Sequence, residues 1–333
     1  LEAHIESLLA QPEFEETRPT ATDIGQAFRI EDARGRYISY LKSTFPKELV
    51  LDGLKIVVDC AHGATYRTAP EVFEELGAQI IPIGVRPNGK NINRASGTTH
   101  PEGMARLVVR SQADLGIAFD GDGDRCILVD HTGRVVDGDR ILAICALDMQ
   151  RRQTLKRKTV VATVMSNLGL EMALKNHGLK LMRTQVGDRY VLEAMLRGGF
   201  NLGGEQSGHL VFLNHSTTGD GILTALRLLA VMIRDDKPLA DLARCMEDYP
   251  QVLLNLRVKE RQDLSSVPRA HKAIQAAEKR LKGRGRLLVR FSGTEPLLRV
   301  MVEGEKSDEI QEVAQELVQT LDNCLNRKED GPC

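Results

Sequence analysis

The sequence predicts an α/β fold: two consecutive α/β mixed-sheet domains, followed by a small C-terminal α+β domain. Three observations carry this expectation. Between about Leu54 and Phe119, short apolar runs alternate with helix-patterned stretches, the mark of an α/β unit with parallel strands. A second unit of the same kind begins near Gly138. After Pro250 the order changes to strand, helix, two strands and helix.

Each element has its own justification. Leu1 to Leu9 reads as the end of an amphipathic helix, and residues 11–24, rich in Pro, Thr and Glu, read as a linker. A helix is expected over about Ile30–Leu41, then strand Leu54–Asp59, helix Ala69–Leu76, strand Gln79–Pro82, helix Pro101–Ser111 and the wholly apolar strand Leu115–Phe119. The second unit gives helix Arg140–Gln150, strand Thr159–Val164, a helix from Leu168, strand Lys180–Arg183 and helix Tyr190–Leu196. There Gly204 opens a loop before strand His209–Leu213, and a helix over Asp220–Ile233 closes the unit. Thr217 to Asp220 supplies that last helix with its start, Asp220 lying near the positive end of the dipole. The final unit reads as strand Val252–Val258, helix Arg269–Leu281, strands Arg286–Phe291 and Leu298–Glu303, and helix Asp308–Leu325, with a disordered tail over Asn326–Cys333. The expected domains are residues 36–137, 138–248 and 249–333.

Composition excludes several roles. A chain of 333 residues is long enough for two to four domains. Its 42% hydrophobic and 27% charged content fits a soluble globular protein. A net charge of −1 provides no field to attract nucleic acid or an anionic membrane, so neither is an expected partner. The six cysteines lack CxxC spacing, which fits a reducing cytoplasm better than a zinc site or disulfide framework. The longest apolar stretch, Ile222 to Ile233, is short and broken by Arg227.

The residues Asp120-Gly-Asp-Gly-Asp-Arg125 are the most informative. Three carboxylates at alternate positions, separated by glycines and following a buried strand, can converge on one point. Their mutual repulsion calls for a cation, and hard oxygen ligands suit Mg²⁺. Asp120, Asp122 and Asp124 are therefore the candidate metal ligands, and Arg125 offers a planar fork to phosphate oxygens. An EF-hand is excluded, because its sixth and twelfth positions would be Arg125 and His131. A phosphatase with Asp120 as nucleophile and Asp122 as acid, and a plain solvated turn, are the alternatives left open.

Three further loops carry polar groups. In Gly203 to His209 the glycines admit a close ligand, Glu205 and Ser207 can bind sugar hydroxyls, and His209 can carry a proton near neutral pH. A glycine-rich turn without function reads equally well. In Arg290 to Pro296, Ser292, Gly293 and Thr294 form a turn able to surround a phosphate, flanked by Arg290 and Arg299. A connecting turn with surface arginines is its alternative. Arg189, in Gly187 to Tyr190, lies after a strand where α/β sheets bind ligands, although pairing with Asp188 is an equal reading. His62 and His100 are better explained by packing or capping.

Taken in order, these loops resemble the α-D-phosphohexomutase superfamily over nearly the whole chain. Asp59-Cys-Ala-His-Gly-Ala-Thr-Tyr66, Gly97-Thr-Thr-His-Pro-Glu102, Val186-Gly-Asp-Arg-Tyr190, Gly204-Glu-Gln-Ser-Gly-His209 and Ser292-Gly-Thr-Glu-Pro296 look most like the bacterial members that interconvert glucosamine 6-phosphate and glucosamine 1-phosphate. The resemblance implies a cytoplasmic enzyme, a small-molecule hexosamine phosphate as partner, Mg²⁺ as cofactor, and a homodimer in the complete protein. It also implies a first domain bearing a phosphoserine loop of the Ser-His-Asn-Pro kind. No such stretch occurs here, and Ser166, Ser207 and Ser292 are poor substitutes. Residues 1–35 are then expected to be the end of that domain and a linker, and the chain alone is expected to be inactive. The same resemblance leaves glucose or mannose phosphates, or a purely sugar-phosphate-binding role, as alternatives.

Overall fold

The computed structural model describes residues 2–11, 18–259, 261–292 and 295–326. It comprises two compact units, Leu1–Tyr37 and Ile38–Cys333. The first holds helix α1 (Glu2–Leu9) and the opening turns of α2 (Ala33–Thr44), and Ile24, Phe28 and Ile30 are exposed within it.

The second unit starts with β1 (Lys55–Asp59), α3 (Thr68–Glu75), β2 (Gln79–Ile83), α4 (Glu102–Ser111), β3 (Leu115–Phe119), β4 (Cys126–Asp130) and β5 (Val135–Val136). These strands form one sheet in the order β2-β1-β3-β4-β5. β1 runs parallel to β2 and β3, whereas β4 is antiparallel to both β3 and β5. There follow α5 (Gly138–Arg151), β6 (Thr159–Thr163), α6 (Leu168–Asn176), β7 (Lys180–Thr184), α7 (Asp188–Gly198), β8 (Leu202–Gly204), β9 (Leu210–Phe212), α8 (Gly221–Asp235) and the short α9 (Leu239–Leu242). Their sheet has the order β7-β6-β8-β9, again parallel except for its last strand. The two sheets thus repeat one topology, as the alternating sequence pattern suggests.

Antiparallel edge strands make both sheets mixed, as expected. β4 was not anticipated, because its apolar run follows the aspartates directly and looks like part of their loop. β8 contains two glycines, which read as turn. The packing explains them: a Cβ on Gly203 would lie 2.6 Å from the Met195 sulfur, and one on Gly204 would lie 2.6 Å from the His209 carbonyl.

Helix starts follow local chemistry. The Asp137, Asn167 and Asp220 side chains accept from the backbone N–H groups of Arg140, Gly169 and Leu223 at 3.1, 2.8 and 2.9 Å. A continuous apolar core joins both sheets through α5 and α8, with Ile141, Leu142, Leu226 and Leu229 fully buried. Each such side chain contributes about 1.5–3 kcal/mol relative to exposure.

The last domain has β10 (Gln251–Arg257), α10 (Pro268–Leu281), β11 (Gly285–Phe291), β12 (Leu297–Gly304) and α11 (Ser307–Leu325). Its antiparallel sheet has the order β10-β12-β11. Ile310, Val313, Leu317, Leu321 and Leu325 make the α11 stripe that closes a separate core. The expected disordered tail lies, beyond Asn326, outside the described residues. Cys60, Cys126 and Cys145 are buried free thiols, consistent with core packing. Among the described residues, no helix is long and apolar enough to cross a membrane.

Candidate active site

β3 delivers the aspartate loop to the sheet's C-terminal edge, and antiparallel β4 leads away, so the acids occupy a hairpin connection. Carboxylate oxygens of Asp120, Asp122 and Asp124 lie within 4.8 Å of one another. The hairpin is tightly braced. Ala64 donates to the Gly121 carbonyl at 2.8 Å, and a Cβ on Gly63 would come within 2.2 Å of that oxygen. Gly123 has φ of +80°, where glycine is favoured.

Asp120 Oδ1 accepts from the backbone N–H groups of Gly123 and Arg125 at 3.2 and 3.1 Å. Burial, with the neighbouring Asp124 carboxylate adding to it, still raises the Asp120 pKa. Asp124 Oδ1 is buried and has no hydrogen-bond partner. An orphaned carboxylate oxygen among three converging acids fits a hard divalent cation.

Arg125 stands beside this group, its Nε 3.9 Å from Asp120 Oδ2. It lines a cavity of about 550 Å³ together with Thr98, Thr99, Asp137, Thr163, Met165, Glu205, Gln206 and Ser207. The second domain's glycine-rich loop is stitched to the first domain, since Cys126 donates to the Gly208 carbonyl at 3.0 Å, and it is braced within its own domain by Gly138, which donates to the Gln206 carbonyl at 3.0 Å. Glu205 Oε1 accepts from the Gly187 N–H at 3.1 Å, which ties the Gly187–Tyr190 loop to the same wall.

His209 is placed differently from a proton carrier facing substrate. It is 4% exposed and does not line the cavity. Its Nδ1 lies 2.9 Å from Asp124 Oδ2, and its ring packs so closely on Gly219 that a Cβ there would be 2.4 Å away. The imidazole therefore orients a candidate metal ligand. Arg189 is not among the residues lining the cavity; its Nε donates to Glu193 at 3.0 Å and its backbone N–H to the Asp188 carboxylate at 2.8 Å.

From the last domain, Arg290 Nη2 reaches 3.9 Å from the sulfur of Met165, a residue of the cavity wall. Arg290 and Arg299 are directly opposed across β11 and β12. Facing like charges destabilise a sheet unless an anion lies between them. Arg299 Nη2 is 3.3 Å from Glu295, while its Nε is buried without a partner. Ser292 is buried, its Oγ accepting from the Glu295 N–H at 3.3 Å. Gly293 and Thr294 lie outside the described residues.

Thr98, Thr99, Asp137, Thr163 and Met165 line the cavity without having been assigned roles from sequence. Thr98 and Thr99 belong to the Gly97-Thr-Thr-His-Pro-Glu102 motif. Thr163 ends β6 and Met165 lies just past it, at a strand's C-terminal end, a position that marks ligand-binding residues in α/β sheets.

Three sheet domains that bring a carboxylate hairpin, a glycine-rich loop and a basic turn to one cleft define the phosphohexomutase class of architecture. The family descriptions agree domain by domain. Residues 35–133 match the phosphoglucomutase/phosphomannomutase alpha/beta/alpha domain II, residues 137–249 match domain III, and residues 253–320 match the C-terminal domain. The chain belongs to the phosphoglucomutase/phosphomannomutase family.

Among its relatives, the phosphoglucosamine mutase of Geobacter sp. (strain M21) is 55% identical over 327 residues, covering 98% of this chain and 72% of that protein. The phosphoglucosamine mutase of Myxococcus xanthus (strain DK1622) is 56% identical, covering 98% and 71%. In fold, the chain is similar to Aspergillus fumigatus N-acetylphosphoglucosamine mutase, solved in complex with GlcNAc-6P and magnesium. The TM-score is 0.72 at 22% identity, over 90% of this chain and 68% of that one.

Proposed function

We propose that this chain belongs to a phosphoglucosamine mutase, an isomerase that interconverts glucosamine 6-phosphate and glucosamine 1-phosphate in the cytoplasm. The observation that carries this reading is the cleft itself. Arg125 beside the acids and Glu205 and Ser207 on the loop line one space, and Arg290 of the last domain reaches its wall at Met165. Identities of 53–57% to phosphoglucosamine mutases over nearly the whole chain favour the amino sugar.

Asp120, Asp122 and Asp124 would hold Mg²⁺, which when bound neutralises charge on the transferring phosphoryl group. Arg125 holds that phosphoryl group from the side of the acids. Arg290, Ser292, Gly293, Thr294 and Arg299 hold the substrate's other phosphate, and Glu205 and Ser207 grip hexose hydroxyls. Contacts that read a phosphate at one end and hydroxyls in the middle accept the sugar in either direction, which a mutase requires. His209 holds Asp124 in place, and Arg189 supports the rim. Ser166 is fully buried and Ser292 nearly so, and Ser207 is assigned to the sugar, so none of the three is the serine that donates and recovers the phosphoryl group. The domain divisions 36–137, 138–248 and 249–333 serve this arrangement by giving each loop its own sheet.

The test uses the complete enzyme with glucosamine, glucose and mannose phosphates. Preferred turnover of the glucosamine esters, lost in Asp122→Asn, is the expected result. Preference for mannose phosphates, or near-normal rates in that variant, would overturn the substrate or the metal assignment respectively.

A further inference from the structure

A second cavity, of about 230 Å³, opens beside α5, α8 and the turn after β9, and it shares no lining residue with the cleft. Arg152, Arg227 and His215 line it with Met149 and Phe212, and no carboxylate contributes to the wall. Arg227 is half-buried on α8, and its Nη1 donates to the Thr44 carbonyl at the end of α2, at 3.2 Å. Asp148, an acid whose charge Arg227 senses, is engaged elsewhere, accepting from Arg234 through both oxygens at 3.0 and 2.9 Å. Among the described residues, Arg227 has no carboxylate within ion-pair distance.

The positive charge here is thus under-compensated. Burial, with the Arg234 and Arg152 charges adding to it, lowers the Arg227 pKa. Burial and Arg227 together lower that of His215. The site is also held in shape: the Tyr40 hydroxyl donates to the His215 carbonyl at 2.6 Å, and Asn201 Nδ2 donates to the Thr154 carbonyl at 2.9 Å. A half-buried cation facing a hollow, with a second guanidinium at its mouth, is an arrangement that an oxyanion completes.

We propose that this cavity binds a small phosphorylated molecule, its phosphate between Arg152 and Arg227 and its organic part against Met149 and Phe212. A phosphate suits two guanidinium forks better than a single carboxylate does. A bare phosphate ion would leave most of the about 230 Å³ to water, whereas a short organic body covers the apolar wall. The occupant lies where α2, α5 and α8 meet, so binding would tie the first α/β domain to the second.

The experiment follows the His215 ring proton resonance of this chain, assigned by its loss in His215→Gln, during titration with inorganic phosphate and with phenyl phosphate at constant pH. The expected result is a saturable shift with both, tighter for phenyl phosphate. Losing one charge-assisted contact in Arg152→Ala should weaken binding by roughly tenfold or more. Arg152 is at the mouth and touches Asp148 only at 3.8 Å, so this variant separates binding from the helix-capping contact of Arg227. Arg290→Ala, which alters the other anion site, should leave the shift intact. Absence of a saturable shift, equal affinity for the two probes, or a shift lost in Arg290→Ala but kept in Arg152→Ala would overturn the assignment.

Discussion

At the scale of single residues, the pair His209 and Asp124 decides how the metal site is organised. Asp124 offers one carboxylate oxygen to the imidazole at 2.9 Å and leaves the other buried without a partner. Groups that orient a metal ligand typically change affinity 10- to 100-fold when removed. An Asn side chain can present an N–H close to where imidazole Nδ1 lies, but it cannot carry protons as imidazole does. His209→Asn in the complete enzyme should therefore keep most Mg²⁺ affinity and turnover, whereas His209→Phe should weaken Mg²⁺ binding by roughly tenfold or more. Magnesium titration of turnover separates the cases. Loss of the pH-rate limb in His209→Asn with Mg²⁺ affinity unchanged would restore the proton-carrier role. The sequence made all three acids and this histidine visible, but not their contact, because 85 residues separate the partners.

At the scale of elements, the Val164–Asn167 turn after β6 joins the second and third domains. Arg286 of β11 donates to the Val164 carbonyl at 2.8 Å, to the Ser166 carbonyl at 3.0 Å, and through Nε to Glu303 of β12 at 2.8 Å. Glu303 is 0% exposed. Removing one partner of a buried ion pair costs about 3–5 kcal/mol, because the remaining charge stays out of water. Arg286→Ala should lower the unfolding free energy by about that amount, and denaturant melting of the isolated chain measures it. A change within experimental error would show that Glu303 finds solvent or a proton cheaply.

Asp139 of α5 belongs to the same junction, its Oδ2 accepting from the Asn167 N–H at 2.7 Å. Burial first, then the nearby Asp137 charge, push its pKa up from 3.8 to about 7. The folded state therefore holds a proton that the unfolded state has released, and stability falls as pH rises from about 4 to about 7. Asp139→Asn should flatten that part of the melting-temperature profile, and an unchanged slope would contradict the assignment. Periodicity made nearly all the helices of this region readable, and the apolar runs of β3 and β6 likewise. It missed β8, where glycines serve close packing and so imitate a turn, and β4, whose run merges with the aspartate loop. Local sequence cannot express such needs, since they arise from the neighbouring strand and helix.

On the scale of the whole molecule, the cleft exists only because separate sheets present their loops to one another. The chain order of the motifs was readable, and so was the chemistry of each. Their convergence was not, because a contact such as Arg290 with Met165 spans 125 residues and two domains. That contact sets the last test. Arg290 is opposed by Arg299 across the β-ladder, so the two charges repel until an anion joins them. A phosphate held equally in ground and transition states contributes to binding without changing the chemical step. Arg290→Ala in the complete enzyme should therefore raise KM for glucosamine 6-phosphate by roughly tenfold or more while kcat changes far less, one charge-assisted contact being lost. Because the vacated repulsion relieves the sheet, the variant should fold at least as stably. A defect confined to kcat would mean that Arg290 acts on the transferring group instead, which would reverse the assignment of the cleft's two ends.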